Sequence, residues 1–599
     1  MFSNTLIYLI KLVRPAGFEP TTPWFVAKYS IQLSYGRMQS ANHTRLNPHL
    51  TSPLRCRVCV AHPACSPRNG PPPLSAWVVS QIVAPILEHG LWAFTGRSKR
   101  QSRAMSIVRV FSLSLLLLAA SRLLGVVRDA VVASQFGLSG HADAALVVLS
   151  YPDFTVSLLW GAAVPAVMVP RMAGRPLNAI ANEVARWSRF ALTIFACAGV
   201  MSWMFSSVIV HWLAPGLGAL DARLAAGALG VSALIALPAG AVAMVGAAAL
   251  QAQRRLPWQY AGHVVFNLVL ITGLLLAARL GRFDWIAAGI AAAAIARLAL
   301  MRWAAGVGAP APVTTARWPD ADALRASALA LAASGLTVLY TLAARAFASD
   351  AGPGRLGVFH YAQRVGELPL HTVFAVAAAL ALARLSAAEA SGDTAGARER
   401  GRQWMQSMLL VAALLGACGM LIAPLGVRLL FGWGRMNPAS QAEVVQSMRW
   451  ILCLLPLQAA QLVLSARLNS HRRIADQVLG YGLGLLALLA LGWALPDAWW
   501  RALAAYGAGY LVATVVLWQR LSRHTLDVEI RNLSMLAIAC ALLGLLASIL
   551  AHSAAAPWPM LIEAVLAALL FAIGAAALLR WDALGAVARQ ALARRYTRR

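Results

Sequence analysis

Charged side chains that could bind an anion stand inside an apolar segment, SRLLGVVRDA. On a helix that turns 100° per residue, Arg122 and Asp129 fall almost on one face, because they stand seven positions apart. Gly125 leaves a gap on that face, and Arg128 lies about 120° round the helix. Arginine stays charged in a low dielectric and can bind two phosphate oxygens at once. We therefore expect Arg122 to face a ligand, whereas Arg128 and Asp129 could instead form an internal pair that fixes the helix.

A second polar face occurs in FHYAQRVGELPLH. Four side chains at helical offsets of zero, four, seven and eleven fall within about 60° of one another: His360, Arg364, Glu367 and His371. One interpretation is that this face lines the same cavity as Arg122, so that Arg122 and Arg364 together receive a diphosphate, with Gln363 and Tyr361 as weaker helpers. The alternative is that Arg364 bonds Glu367 one turn on.

The elements that position these residues are apolar runs of about twenty residues, repeated about fourteen times between Met105 and Arg599. Such a run matches a helix that crosses a hydrocarbon core of about 30 Å at 1.5 Å per residue. The runs are 107–134, 142–170, 188–212, 224–250, 258–279, 284–304, 323–348, 359–384, 404–431, 444–467, 476–496, 499–520, 532–552 and 558–580. The chain is 60% hydrophobic and only 12% charged, with a mean hydropathy of +0.66. These values exclude a soluble globular domain and predict an all-α polytopic membrane protein.

The formal net charge of +29 would by itself suggest a nucleic-acid partner, but the arginines cluster in alternate links between the runs. Links after even-numbered runs carry most of them, for example Arg254 and Arg255 or Arg472 and Arg473. By the positive-inside rule, these links and both termini are expected to be cytoplasmic in a bacterial inner membrane, and no nucleic-acid partner is expected.

The domain organisation follows from the longest link, near residues 305–323. We expect a first lobe over 105–305 (spans one to six), a cytoplasmic linker over 306–322, and a second lobe over 323–521 (spans seven to twelve). Spans thirteen and fourteen with a basic tail would occupy 522–599. Two six-helix lobes around a central cavity plus two C-terminal helices would suit alternating access.

Residues 1–104 are expected to be a mis-annotated or disordered leader, with Met105 as the expected start. Cysteine and histidine spacing in that leader could suit zinc, but no metal site is expected there: Cys56, Cys59, His62 and Cys65. Asp320 and Asp322 form an Asp-x-Asp that could hold a metal in a glycosyltransferase. Their position in WPDADALR favours the start of a helix instead.

Several segments together resemble the MurJ/MviN family of lipid II flippases, in the multidrug/oligosaccharidyl-lipid/polysaccharide exporter superfamily. They are SRLLGVVRDAVVASQFGLSGHADAALVVLSYPDF, the APGL at Ala214–Leu217, ALQAQRRLPWQYAGHVVFNLVL, FHYAQRVGELP and LLFGWGRM. The resemblance extends from Met105 to about Arg580, and fourteen spans is that family's number. It implies that Arg122, Arg128, Asp129 and Arg364 face the cavity and handle a lipid-linked diphosphate. It also implies a groove for the polyprenyl tail between the last two helices.

The chain departs from the family pattern in the second span. It reads DFTVSLLWGAA, with Val156, Ser157 and Trp160 where the family has a pair of arginines followed by Ala-Glu-Gly. Spans seven and eleven also show no acidic cluster that would suit a sodium ion. This departure leaves room for a relative that moves a different glycan.

The function expected from the sequence is a flippase that moves undecaprenyl-diphosphate-linked lipid II from the inner to the outer leaflet for peptidoglycan synthesis. The alternatives are export of another polyprenyl-linked glycan for an exopolysaccharide and, less favoured, multidrug export, which would want intramembrane acids such as Asp129 and Glu367. A monomeric transporter, not an enzyme, is expected. Its partners would be the lipid-linked diphosphate glycan and membrane lipids, and no cofactor or metal is expected.

Overall fold

The computed structural model describes residues 99–161, 163–306, 318–374, 377, 394–471, 473–522 and 530–552. From Arg100 onward these residues form one compact unit, which within the described ranges contains sixteen α-helices, one π-helical turn and no strand. The first eight helices are α1 Lys99–Phe136, α2 Gly140–Leu159, α3 Ala163–Met172, α4 Leu177–Met204, α5 Ser206–Leu213, α6 Ala219–Ala252, α7 Leu256–Leu280 and α8 Asp284–Ala305. The others are α9 Ala321–Asp350, α10 Arg355–Gly366, α11 Thr394–Phe431, α12 Pro438–Cys453, α13 Leu455–Ser470, α14 Ile474–Ala494, α15 Arg501–Ser522 and α16 Ile530–His552, with the π-turn at Leu370–Phe374.

Nine apolar segments in the described ranges are long enough to cross a bilayer. They are α2, α4, α6, α7, α8, α11, α12 with α13, α14 and α15. This confirms the prediction of an all-α polytopic membrane protein. The first ninety-eight residues, with the leader and its cysteine spacing, lie outside the described residues, as does the predicted span 558–580.

The predicted second span, 142–170, consists of two helices, α2 and α3. Its prolines suggest a bend, yet Pro152 lies inside α2 and Pro170 lies inside α3, so neither marks the break. The break falls at Trp160 and Gly161, where Trp160 has φ −144° and ψ −32°. The Trp160 ring packs against Trp187, at 5.8 Å between ring centroids, and against Phe190 and Phe195. The segment that departs from the family pattern therefore contributes Trp160 to an aromatic cluster with α4.

Span eight is also interrupted. The helix α10 ends at Gly366, and a π-turn follows at Leu370–Phe374. Pro369 explains the change, because proline has no N–H to donate and its ring clashes with the carbonyl four residues earlier. Of the rest of that predicted span, only Ala377 lies within the described residues.

Small residues let the helices of the first half pack closely. The helix α6 is rich in alanine, is buried along much of its length, and contacts α2, α3, α4 and α8. Gly273 and Gly289 bring α7 and α8 together so closely that a Cβ on Gly273 would lie 2.6 Å from the Cα of Gly289. Close backbone approach through small residues is a common way for helices to associate in membranes.

The end of the bundle at which α1 ends is sealed by links from both halves of the chain, and it is called the closed end below. The carboxylate of Asp143 accepts hydrogen bonds from the backbone N–H groups of Gly354 and Gly357, each at 2.7 Å. Gly354 has φ +82°, a conformation that favours glycine, and its backbone lies against Leu138. In addition, the N–H of Arg435 donates to the Ser134 carbonyl at 2.9 Å.

Candidate functional site

A buried carboxylate, Asp129, joins α1 to α10. Arg128 donates from Nε to its Oδ1 at 2.9 Å, and the Oδ2 atom lies 3.3 Å from Nε of Arg364 and 3.3 Å from Nε2 of His360. Asp129 is fully buried and Arg128 is 8% exposed. The internal Arg128–Asp129 pair considered in the sequence analysis is therefore present, and its second carboxylate oxygen lies close to Arg364 and His360 of the facing helix without accepting a hydrogen bond from either.

Gly125 makes room for the Arg364 guanidinium. A Cβ at Gly125 would lie 2.7 Å from Nη2 of Arg364, which is closer than any methyl group could approach without moving that side chain. The glycine gap that was predicted on the face of α1 is thus occupied by the arginine of α10. Arg364 remains partly open, with 36% of its side chain exposed.

Arg122 lies one turn further from the closed end than Gly125. Its side chain is partly exposed, and no carboxylate oxygen of the described residues lies within 4 Å of it. It interacts electrostatically with Arg364, which has the same charge, and with Tyr260. Arg122 and Arg364 are therefore brought together, as the sequence analysis expected, and their charges repel in the absence of an anion.

Glu367 belongs to a separate polar network. Its Oε1 accepts from the hydroxyl of Tyr506 and from Nε2 of Gln458, both at 2.7 Å. Gln363, only 4% exposed, donates to the same Tyr506 hydroxyl at 2.8 Å. His371 lies 3.7 Å from the Oε2 of Glu367. The suggested Arg364–Glu367 bond is wrong, because tertiary partners on α13 and α15 take the carboxylate and Arg364 turns toward α1.

Two further arginines of the cluster were missed by the sequence analysis. Arg345 on α9 donates to the Ser150 hydroxyl at 2.9 Å and lies over the Phe154 ring, 4.8 Å from its centroid. Arg297 on α8 is 8% exposed, and its Nη2 lies 3.4 Å from Nε2 of His263. Each stands alone in an apolar run, with no charged residue three or four positions away to mark a polar face. Their only sequence signal is an arginine within a predicted span.

Positive charge exceeds negative charge in this part of the structure. Its arginines are Arg122, Arg128, Arg297, Arg345 and Arg364, and its carboxylates are Asp129, Asp153 and Glu367. A charged side chain at the centre of a bilayer costs at least about 2.5–3.5 kcal/mol, so such residues normally face a cavity or a partner. The cluster therefore holds two arginines more than carboxylates, a charge that an anion could neutralise.

Asp320 and Asp322 stand at the start of α9, as their position in the sequence predicted. The Asp320 side chain makes no capping hydrogen bond. Both carboxylate oxygens instead accept from Arg171, at 2.5 and 2.8 Å. This hydrogen-bonded guanidinium lowers the pKa of Asp320 below its ordinary value. The residue ties the end of α3 to the start of α9.

The bundle of apolar helices around charged side chains defines a membrane transporter fold. It is similar to the solved structure of "Lipid II flippase MurJ, inward closed conformation", with a TM-score of 0.63 and 15% identity over 78% of this chain and 100% of that chain. It is also similar to an inward-facing multidrug resistance MATE family transporter of the MOP superfamily, with a TM-score of 0.55 and 15% identity over 70% of this chain and 98% of that chain. A comparison with curated protein sequences gives no match.

The sequence model of the family described as lipid II flippase MurJ matches residues 132–569. The chain therefore belongs to the MurJ lipid II flippase family, as its sequence motifs indicated. It is a multi-pass membrane protein of a family of lipid-linked precursor flippases.

Proposed function

We propose that this protein moves an undecaprenyl-diphosphate-linked cell-wall precursor, lipid II, from the inner to the outer leaflet of the bacterial cytoplasmic membrane, in support of peptidoglycan synthesis. The observation that carries the proposal is the excess of arginine over carboxylate in the cluster, above all the partly exposed Arg122, which has no carboxylate within 4 Å among the described residues. A diphosphate supplies the missing negative charge and offers paired oxygens to planar guanidinium groups.

The proposed cycle is alternating access between two lobes, the first over 105–305 and the second over 323–521. With arginine-rich links on the cytoplasmic side, the closed end faces outward and both termini face the cytoplasm. The head group then enters from the cytoplasmic side and binds Arg122 and Arg364. The closed end opens, the head group leaves outward, and the polyprenyl tail stays in lipid. No covalent step is needed.

Asp129 and Arg128 have positioning roles in this proposal. Their buried pair holds the Arg364 guanidinium beside Gly125, so that it points at the same space as Arg122. A phosphate that binds both arginines relieves their mutual repulsion. Cargo binding is therefore strongest when α1 and α10 are held together at the closed end.

The test uses a bacterial strain in which the resident lipid II flippase is depleted and this chain is expressed instead. We expect the chain to sustain growth and to expose lipid II on the outer leaflet, whereas Arg122→Ala and Arg364→Ala lose transport but still accumulate in the membrane. Arg282→Ala is the matched control, because Arg282 is exposed and pairs only with the exposed Asp284 in the described part of the chain. Full activity of both cavity variants would contradict the site.

A different lipid-linked glycan is the second candidate cargo. The observation that favours it is the buried aromatic cluster around Trp160, which stands where the family pattern has basic residues. In the same depletion strain, loss of growth together with retained export of a polysaccharide would assign this second cargo.

A further inference from the structure

Arg297 is buried without an anionic or carbonyl acceptor among the described residues. It is 8% exposed, its Nε has no hydrogen-bond partner there, and its Nη2 lies 3.4 Å from both the Met244 sulfur and Nε2 of His263. A buried guanidinium without an anion or a set of carbonyls is costly. Its packing alone gives no reason for a charge at this position.

Other buried arginines show how the same fold satisfies a purely structural guanidinium. Arg449 donates to the carbonyls of Met420 and Leu550, at 3.3 and 2.8 Å. Arg501 donates to the carboxylate of Asp350 at 2.8 Å and also pairs with Asp497. Arg297 has neither kind of acceptor among the described residues. This contrast indicates that its acceptor is a ligand.

Arg297 and Arg122 lie at the same depth. Arg122 is fourteen residues from the end of α1 at Phe136, and Arg297 is thirteen residues from the start of α8 at Asp284, which places both about 20 Å along their helices from the same side of the bundle. Asn267, one turn beyond His263 on α7, donates to the carbonyl of Ser121 at 3.5 Å. His263 interacts electrostatically with both arginines.

We propose that Arg297, His263 and Arg122 form a second anion subsite, which takes one phosphate group of a diphosphate cargo while Arg364 takes the other. This inference rests on the proposed function. Arg122 is the shared neighbour, because it interacts electrostatically with both Arg364 and His263, and the Asn267–Ser121 hydrogen bond joins α7 to α1 next to it. Asp153 interacts electrostatically with Arg297 but forms no ion pair with it within 4 Å.

The imidazole adds a directional donor to the subsite. Its Nε2 accepts from Arg297, so the neutral ring carries its proton on Nδ1. A neutral donor binds a phosphate oxygen without adding a further charge to the apolar surroundings. The two guanidinium groups supply charge and paired donors, and together with the ring they suit the tetrahedral array of phosphate oxygens.

The test measures binding to the purified full chain in phosphatidylcholine nanodiscs, with undecaprenyl diphosphate and undecaprenyl monophosphate as probes. We expect the unchanged protein to prefer the diphosphate. Arg297→Gln should reduce that preference by about tenfold or more, as expected for loss of a charge-assisted hydrogen bond. Arg297→Lys should keep part of it, and His263→Asn should weaken it a few-fold. Arg302→Gln, an exposed position on the same helix with the same charge change, is the matched control.

The outcomes separate this inference from the proposed function. If the unchanged protein binds neither probe, the proposed function fails. If it prefers the diphosphate and both Arg297→Gln and His263→Asn keep that preference, only the second subsite is overturned. If Arg297→Gln weakens binding of lipid II, measured in the same nanodiscs, but not of undecaprenyl diphosphate, the subsite takes an acidic group of the head group outside the diphosphate, and the phosphate assignment is overturned. Two variants are used so that misfolding of one does not decide the result.

Discussion

At the scale of single residues, the site depends on a glycine as much as on its arginines. Glycine at position 125 leaves room for the Arg364 guanidinium against α1, because a Cβ there would lie 2.7 Å from Nη2. Arg364 thereby reaches Asp129 while keeping part of its side chain exposed. The contact that holds the arginine therefore does not bury it completely.

Gly125→Ala is therefore expected to reduce transport, as Arg122→Ala and Arg364→Ala do, although it removes no charge. The new methyl group pushes the guanidinium away from Asp129, and transport should fall by about tenfold or more, as for loss of a buried charge-assisted contact. Lipid II exposure in the depletion strain measures the effect. Gly227→Ala is the control, because a Cβ there meets nothing within 4 Å. Equal activity of both variants would remove Gly125 from the site.

Sequence patterns predicted single residues where several charges share one face of a helix, as they do on α1. The shared face of Arg122, Gly125 and Asp129 followed from helical spacing. The partners of Glu367 did not, because Tyr506 and Gln458 are distant in sequence and carry no charge to mark them. The spacing of Arg364 and Glu367 on one helix favoured a local pair that tertiary contacts displace.

At the scale of elements, α10 is held at both ends. Asp143 accepts from two N–H groups at its start, and Glu367 joins it to α13 and α15 at its end. Between these contacts lie His360 and Arg364, both facing Asp129. The short helix α10 is therefore the element that sets the position of Arg364.

Asp143→Ala is expected to loosen the closed end. It leaves two buried N–H groups without an acceptor, and loss of a side-chain acceptor at a helix start costs roughly 0.5–2 kcal/mol. In a cysteine-free background with Met436→Cys, a buried position at this end, labelling by a membrane-impermeant maleimide should become several-fold faster. Asp284→Ala, which removes an exposed acid, should leave labelling unchanged. Unchanged labelling in Asp143→Ala would contradict a latch at this end.

The Arg171–Asp320 contact, which joins the end of α3 to the start of α9, makes the stability of the fold depend on pH. The pKa of Asp320 is lowered by its hydrogen bonds to Arg171, so the contact stabilises the fold fully above the ordinary pKa of about 3.9 and is lost as pH falls through the lowered value. Both side chains are partly exposed, so we expect a coupling of about 0.2–1 kcal/mol. A double-mutant cycle with Arg171→Gln and Asp320→Asn, measured by thermal unfolding at pH 7 and below pH 3, tests this.

The more exposed Arg325–Asp322 pair, with its atoms 3.9 Å apart, is the control for this cycle and should show weaker coupling. Coupling at Arg171–Asp320 that persists at low pH would show that charge does not hold the contact.

The type of the elements was predictable from apolar run length, but their interruptions were not. The nine bilayer-length segments of the described residues all fall on predicted runs, since the bilayer fixes their length. The break at Trp160 depends on aromatic partners from α4, and the π-turn depends on where Pro369 falls relative to the packing of α10. Such tertiary contacts leave no periodic trace in the sequence.

At the scale of the whole molecule, the proposed transport moves the negative charge of the cargo across the membrane potential. A cargo that carries one net negative charge outward across an inside-negative membrane gains about 2.3 kcal/mol per 100 mV. We expect transport in proteoliposomes to speed up when a potassium diffusion potential makes the cytoplasmic side negative, and to slow when the potential is collapsed. Rates that do not respond to the potential would mean that the moving charges of cargo and protein cancel.

We infer that α10 moves as one rigid unit in the proposed cycle. Its twelve residues follow Gly352 and Gly354, both with positive φ, and precede Pro369, so we expect bending at these positions and not within the helix. A tilt that separates Gly354 from Asp143 would then carry the guanidinium of Arg364 away from α1. In that case, opening of the closed end and release of the head group would be a single movement.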